Sequence, residues 1–172
     1  MRVSKEPLIE PAAIATKIKE IAGRIASEYN SNPLTYVAIM GGAFVFLSDL
    51  IREVGLNARV DFLWLSSYED VQSTGRVRVI RDLGSSPAGR NVLLVDDILD
   101  TGRTLAFARE LLINKGAADV KVAVLLEKNI PKYADIKADY VGFSIENKFV
   151  VGYGLDYNEN YRHLSGIYVL EE

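Results

Sequence analysis

A chain of 172 residues and 19.0 kDa has the size of one ordinary domain, here taken as a single domain over 1–172, large enough to bury a core without metals or disulfides. Its composition, 49% hydrophobic and 25% charged, is that of a globular protein, and a net charge of −3 favours no nucleic-acid partner. The lack of cysteine excludes disulfides and thiolate chemistry, and a lone histidine, His163, with no GxSxG elbow anywhere leaves a Ser/His/Asp triad little room.

The opening MRVSKEPLIE carries charges where a signal peptide needs an apolar centre, and no apolar run reaches membrane-spanning length, so no membrane is expected and a cytoplasmic address is. From Pro11 to Tyr29, the residues Ile14, Ile18, Ile21, Ile25 and Tyr29 recur at steps of three and four, which predicts a helix with Pro11 in its first turn. Tyr36 to Met40 reads as a strand, Gly41-Gly42 as a tight turn, and AFVFLSDLIREVG as a helix closed by Gly55. Val60 to Leu65 is a further strand, followed by a polar stretch from Ser66 to Gly75 that reads as a mobile flap, and by the alternating run RVRVIRDL.

After the turn at Pro87 to Gly89 come NVLLV as a strand, DDILDTG as a loop, RTLAFARELLINKG as a helix and VKVAVLL as a strand. These β-branched runs alternating with helices predict an α/β fold with a mostly parallel central sheet flanked by helices. The tail holds three short strand candidates, YVGFSI, FVVGYGL and GIYVL.

Chemistry concentrates where VLLV runs into Asp96 and Asp97, because ligands of an open α/β sheet sit at the carboxyl ends of its strands. In the following DTGRT, Gly102 permits close backbone approach, while the N–H groups and the Thr101 and Thr104 hydroxyls at a helix start can donate to phosphate oxygens. Two carboxylates beside a phosphate need either Mg²⁺ or ribose hydroxyls between them. The plainer alternative makes DDILD a solvated helix cap, with Thr101 or Asp100 as the capping residue. A Walker loop is absent, Gly41-Gly42 lacks the GxGxxG pattern, and a phospho-aspartate receiver would not carry DTGRT.

VLLVDDILDTGRTL resembles the phosphoribosyl pyrophosphate motif of the type I phosphoribosyltransferases. IMGGAFVFLSDL, SSYEDVQSTGRVRV, LLEKN and YVGFSIENKFVVGYGLDYNENYRHL resemble, in order and spacing, segments of hypoxanthine-guanine phosphoribosyltransferases. The resemblance implies the type I fold with a flexible flap and a small C-terminal hood. It also implies Mg²⁺-dependent transfer of phosphoribose from phosphoribosyl pyrophosphate to a 6-oxopurine, and assembly as a homodimer or homotetramer.

By the same resemblance, Asp100, Thr101, Gly102, Arg103 and Thr104 hold the ribose 5-phosphate, and Asp96 and Asp97 face the ribose hydroxyls and metal, although the first acid is often Glu. Met40, Gly41, Gly42 and Arg162 would bind pyrophosphate, with Ile39-Met40 the matching position for a cis peptide. Many relatives carry a basic residue where Met40 stands. Ser67 and Tyr68 match the flap tip. Lys128 would donate to the purine O6, Phe149 would stack on the ring, Val150 would read its edge, Asp156 would sit by the base and a second Mg²⁺, and Asp100 would exchange a proton with N7. Two alternatives remain open: a xanthine-preferring transferase, and an RNA-binding regulator on the same scaffold, whose expected basic surface does not match this acidic chain.

Overall fold

The computed structural model describes residues 2–30, 32–67, 77–132 and 135–171. In chain order these form β1 (Arg2–Val3), α1 (Pro11–Tyr29), β2 (Leu34–Ile39), α2 (Phe44–Val54), β3 (Arg59–Ser67), β4 (Val77–Arg81), β5 (Asn91–Leu99), α3 (Arg103–Asn114), β6 (Asp119–Lys128), β7 (Tyr140–Ile145), β8 (Val150–Val151) and β9 (Tyr168–Glu171). Helix α1 runs between the bounds that its apolar spacing predicts, burying Ile14, Ile18, Ile21, Ile25 and Tyr29. Helix α2 ends where Gly55 enters the left-handed region at φ +67 and its N–H returns to the Ile51 carbonyl. No described helix is long and apolar enough to cross a membrane.

Six strands form one sheet in the order β4-β3-β2-β5-β6-β7, parallel throughout except for the antiparallel β3–β4 edge. From β2 the chain proceeds outward through β3; from β5 it proceeds the other way through β6. The crevice between the carboxyl ends of β2 and β5 is therefore the topological switch point, where such sheets bind ligands. Tyr36, Ala38, Leu93 and Val95 pack on one face beneath α1 and α2, and Val37, Ile39, Val92 and Leu94 on the other with α3.

Strand β5 differs from its sequence reading. DDIL continues the strand to Leu99 instead of opening a loop, with Ile98 paired to Leu126 and Leu99 to Glu127. Val95 and Ile98 both lie on the α1/α2 side, and Leu94 and Leu99 on the α3 side, so the in-out alternation skips a step at Asp96 and Asp97. Acids are poor strand formers, but the apolar Ile98 and Leu99 beyond them have core on both faces to fill.

A second, three-stranded antiparallel sheet, β1-β9-β8, joins the two ends of the chain into the hood. It is bound to the main body by the Tyr153 hydroxyl donating to Asp49 of α2. Its connecting segment is conformationally dense: Gly152, Tyr153 and Gly154, then Asn158, Glu159 and Tyr161, all have positive φ.

Two buried hydroxyls, those of Tyr29 and Tyr36, find no hydrogen-bond partner among the described residues, and burial pushes the Tyr36 phenol up to about 12. An unpaired buried donor costs about 1–3 kcal/mol. Tyr36→Phe, which keeps the ring and removes the orphan, is expected to hold or raise the melting temperature, by roughly 2–4 °C per kcal/mol regained. Thermal unfolding followed by circular dichroism measures it, and a clear fall in Tm would mean that the hydroxyl has a partner.

Candidate functional site

Just past β5 the chain turns through Asp100, Thr101 and Gly102 into α3. Gly102 is the residue before the helix, at φ +83, and a β-carbon on it would lie 2.5 Å from Ile136 Cγ2. Only glycine satisfies both the dihedral and the space. No side chain caps α3, so neither Thr101 nor Asp100 is used as the helix cap that the plainer sequence reading proposed. A cavity of about 180 Å³ is lined by Asp96, Asp97, Asp100, Thr101, Gly102, Arg103 and Thr104, with the N-terminal turn of α3 and its positive dipole end at its wall.

Asp96 is buried at 8% exposure and Asp97 beside it is partly exposed; the Asp97 N–H donates to Asp96 Oδ1 at 3.1 Å. Burial, then the neighbouring Asp97 charge, pushes the Asp96 carboxyl well above the usual range. Burial also raises Asp97, although its hydrogen bond with Asp96 and the Arg162 charge act against this. Two carboxylates so placed hold a proton between them or call for a cation or hydroxyl donors. Among the described residues no group of three or more metal-binding side chains gathers, so Asp96, Asp97 and Asp156 do not form a closed metal cage. That composition fits Mg²⁺, which is bound by one or two carboxylates and completes its shell with water and substrate oxygens.

On the other bank of the crevice, the turn after β2 passes through Gly41 at φ +130. No peptide bond among the described residues is cis, so Ile39-Met40 is trans and Gly41 makes the reversal. The Met40 N–H donates to the Leu63 carbonyl at 2.9 Å, and its side chain lies in a separate cavity with Asp61, Phe62 and Trp64. The Met40 N–H is thus engaged by β3, while Gly41 and Gly42 form the turn beside the acid pair. Gly42 is packed so closely that a β-carbon would lie 1.5 Å from Asp97 Oδ2, and one on Gly154 would lie 2.3 Å from the Gly42 carbonyl oxygen. Acid pair, turn and hood thus meet with no side chain between them.

A second cavity, of about 190 Å³, shares Asp97, Ile98 and Asp100 with the first and is completed by Lys128, Phe149, Val150, Leu155 and Asp156. Lys128 Nζ lies 2.8 Å from Asp100 Oδ2. Phe149, at 50% exposure, meets the Tyr157 ring edge-on with centroids 5.6 Å apart, leaving it available to a planar ligand, while Val150 is fixed in β8 by pairing with Val169. Arg162 Nη2 pairs with Asp156 Oδ1 at 2.8 Å and its Nη1 donates to the Gly154 carbonyl at 2.7 Å; the Glu159 N–H donates to the other Asp156 oxygen. Asp156 and Arg162 thus stand together as a pair across the hood turn. Ser67 ends β3, and Tyr68 lies outside the described residues.

Sequence reasoning did not single out Lys132, Gly154 or Asp49. Lys132 carries no motif of its own, and the other two become visible only once the hood is laid on α2.

The family model for a phosphoribosyl transferase domain matches residues 8–158. The hypoxanthine-guanine phosphoribosyltransferase of Bacillus subtilis is 41% identical over 165 residues, covering 95% of this chain and 92% of that protein, and its counterpart in Lactococcus lactis is 43% identical over 171 residues, covering 98% and 89%. Among solved structures, a hypoxanthine phosphoribosyltransferase from Staphylococcus aureus superposes with a TM-score of 0.92 at 42% identity, over 97% of this chain and 91% of that one. The Trypanosoma cruzi hypoxanthine phosphoribosyltransferase, solved with its product IMP, superposes with a TM-score of 0.91 at 37% identity, over 99% and 96%.

Proposed function

The chain belongs to the phosphoribosyltransferase family, among the hypoxanthine-guanine phosphoribosyltransferases, and on that footing we propose that it joins phosphoribosyl pyrophosphate to hypoxanthine or guanine, giving IMP or GMP and pyrophosphate. It is a purine-salvage transferase. The observation that carries the finer assignment is the pair of adjoining cavities sharing Asp97, Ile98 and Asp100: one has a helix N-terminus suited to a phosphate, and the other an aromatic ring and a lysine suited to an oxo-substituted base.

In this reading Thr101, Gly102, Arg103, Thr104 and the α3 amides hold the 5-phosphate, and Asp96 and Asp97 take the ribose hydroxyls. Asp96 and Asp97 would also hold Mg²⁺, which when bound would supply positive charge for the leaving pyrophosphate. Gly41, Gly42 and Arg162 face that pyrophosphate. Lys128 donates to the purine O6, which selects an acceptor there and disfavours the amino group of adenine. Phe149 covers the ring and the Val150 backbone, near Asp156, meets its edge. As the bond from C1 to pyrophosphate breaks and the bond to the purine nitrogen forms, Asp100 takes the proton released at N7.

Assembly from two or more copies is part of the same proposal. Parallel sheets are normally covered on both faces, yet Val60, Phe62 and Trp64 of β3 and Ile80 of β4 are 42–51% exposed, and a second copy would cover them. Incubation with phosphoribosyl pyrophosphate, Mg²⁺ and each of hypoxanthine, guanine, xanthine and adenine in turn is expected to yield nucleotide from the first two. No nucleotide from any base would end this reading, and sedimentation as a monomer would end the assembly.

A further inference from the structure

Strands β5 and β6 run parallel as far as the rung Leu99–Glu127, and Asp100 and Lys128 project from the next residues on. Past that rung Lys128 is still paired to Ile145 of β7, but no further rung joins β6 to β5. Lys132 stands at that point. Its side chain folds back, only 16% exposed, so that Nζ donates to the Lys128 carbonyl at 2.5 Å and, at 3.5 Å, to the Leu99 carbonyl, with Glu127 Oε1 3.9 Å away. The Ile130 N–H shares the Lys128 carbonyl at 2.9 Å. An ammonium offers three donors and no acceptor, and a long lysine side chain gives up much rotamer freedom to be withdrawn from water. A surface lysine would not lie so without something to hold.

We propose that Lys132 is a positioning residue that ties the ends of β5 and β6 together and so sets the separation between Asp100 and Lys128. This inference rests on the proposed function. The two side chains must meet two polar atoms on one edge of a rigid base, N7 and the exocyclic O6, so the spacing of the backbones carrying them is set by the purine itself. Leu99 immediately precedes Asp100, and the carbonyl that Lys132 holds on β6 is Lys128's own. The phosphate loop has a separate support in Gly102 packed on Ile136 and does not depend on this tie.

The test compares the parent with Lys132→Met, Lys132→Gln and Lys132→Arg. Lys132→Met is expected to lower kcat and raise KM for the base, their combined loss being about 10²-fold, as for a displacement of about 1 Å at the reacting groups, with KM for phosphoribosyl pyrophosphate within about twofold of the parent. Lys132→Gln, which keeps a neutral donor, should lose less, and Lys132→Arg should recover most of the activity. In a Lys128→Met background, Lys132→Met should have little further effect on KM for the base, because the residue through which it acts is gone. Parental kcat and base KM in Lys132→Met would overturn the proposal. So would an equal rise in KM for the base in both backgrounds, or a parallel loss of phosphoribosyl pyrophosphate affinity, which would make Lys132 a general strut. If Lys132→Met does not fold, the same comparisons on Lys132→Gln decide. A parent inactive on every base would instead overturn the proposed function.

Discussion

Asp100→Asn is expected to lower kcat for nucleotide formation by about 10²-fold or more, the usual share of a general acid or base, while KM for the base and for phosphoribosyl pyrophosphate stays within a few-fold. The amide has the shape of the carboxylate and its oxygen can still accept from Lys128, which lies 2.8 Å from Asp100 Oδ2. The wall shared by the two cavities therefore keeps its form. What is lost is a group able to take a proton, and that matters only while the bond to the purine is forming. Steady-state kinetics at saturating substrates separates the effects: an unchanged kcat would remove Asp100 from the chemistry, and a change confined to KM would make it a binding residue.

Gly42→Ala is expected to reduce kcat/KM for phosphoribosyl pyrophosphate by about 10²-fold, the scale of a 1 Å misplacement beside reacting atoms, without unfolding the protein. The added methyl would lie 1.5 Å from Asp97 Oδ2. Carboxylate and methyl cannot coexist at that distance, so either Asp97 swings away from the ribose position or the turn retreats from the pyrophosphate position. The backbone itself accepts alanine, since the left-handed residue of this turn is Gly41 and not Gly42. Far-UV circular dichroism should match the parent. Parental kcat/KM would mean that the Asp97 carboxylate has another place to lie and no part in holding the sugar.

Much of this arrangement was legible in the residues. The five apolar positions of α1 mark its buried face, and Gly55 marks the end of α2, because both signals are local. The strand at VLLV, the turn at Gly102 and the helix after it were legible for the same reason, since the signals follow one another without interruption. The strand content of DDIL was not, since acids argue against a strand and only Ile98 and Leu99 behind them, paired to β6, show why it continues. The Asp156–Arg162 pair escaped for a different reason. Its two members were each assigned a ligand, but their meeting depends on Asn158, Glu159 and Tyr161 adopting left-handed backbone, which only glycine does at no steric cost. Lys132 was illegible because its partners are main-chain carbonyls, which every residue possesses.

The hood sheet brings together residues from the two ends of the described chain: Arg2 pairs with Glu171, and β9 in turn fixes Val150 and, through the Leu170 N–H, the Phe149 carbonyl. The junction is extended by Ser4, whose N–H donates to the Val169 carbonyl, and by the Ile9–Ile167 bridge, all of them contacts between residues far apart in sequence. The turn from Asp100 to Gly102, by contrast, follows directly on central strand β5. The wall bearing Phe149 and Val150 therefore depends on a latch between the far ends of the described chain, so unpairing β1 from β9 is expected to loosen that wall while the turn between β5 and α3 stays fixed in the central sheet.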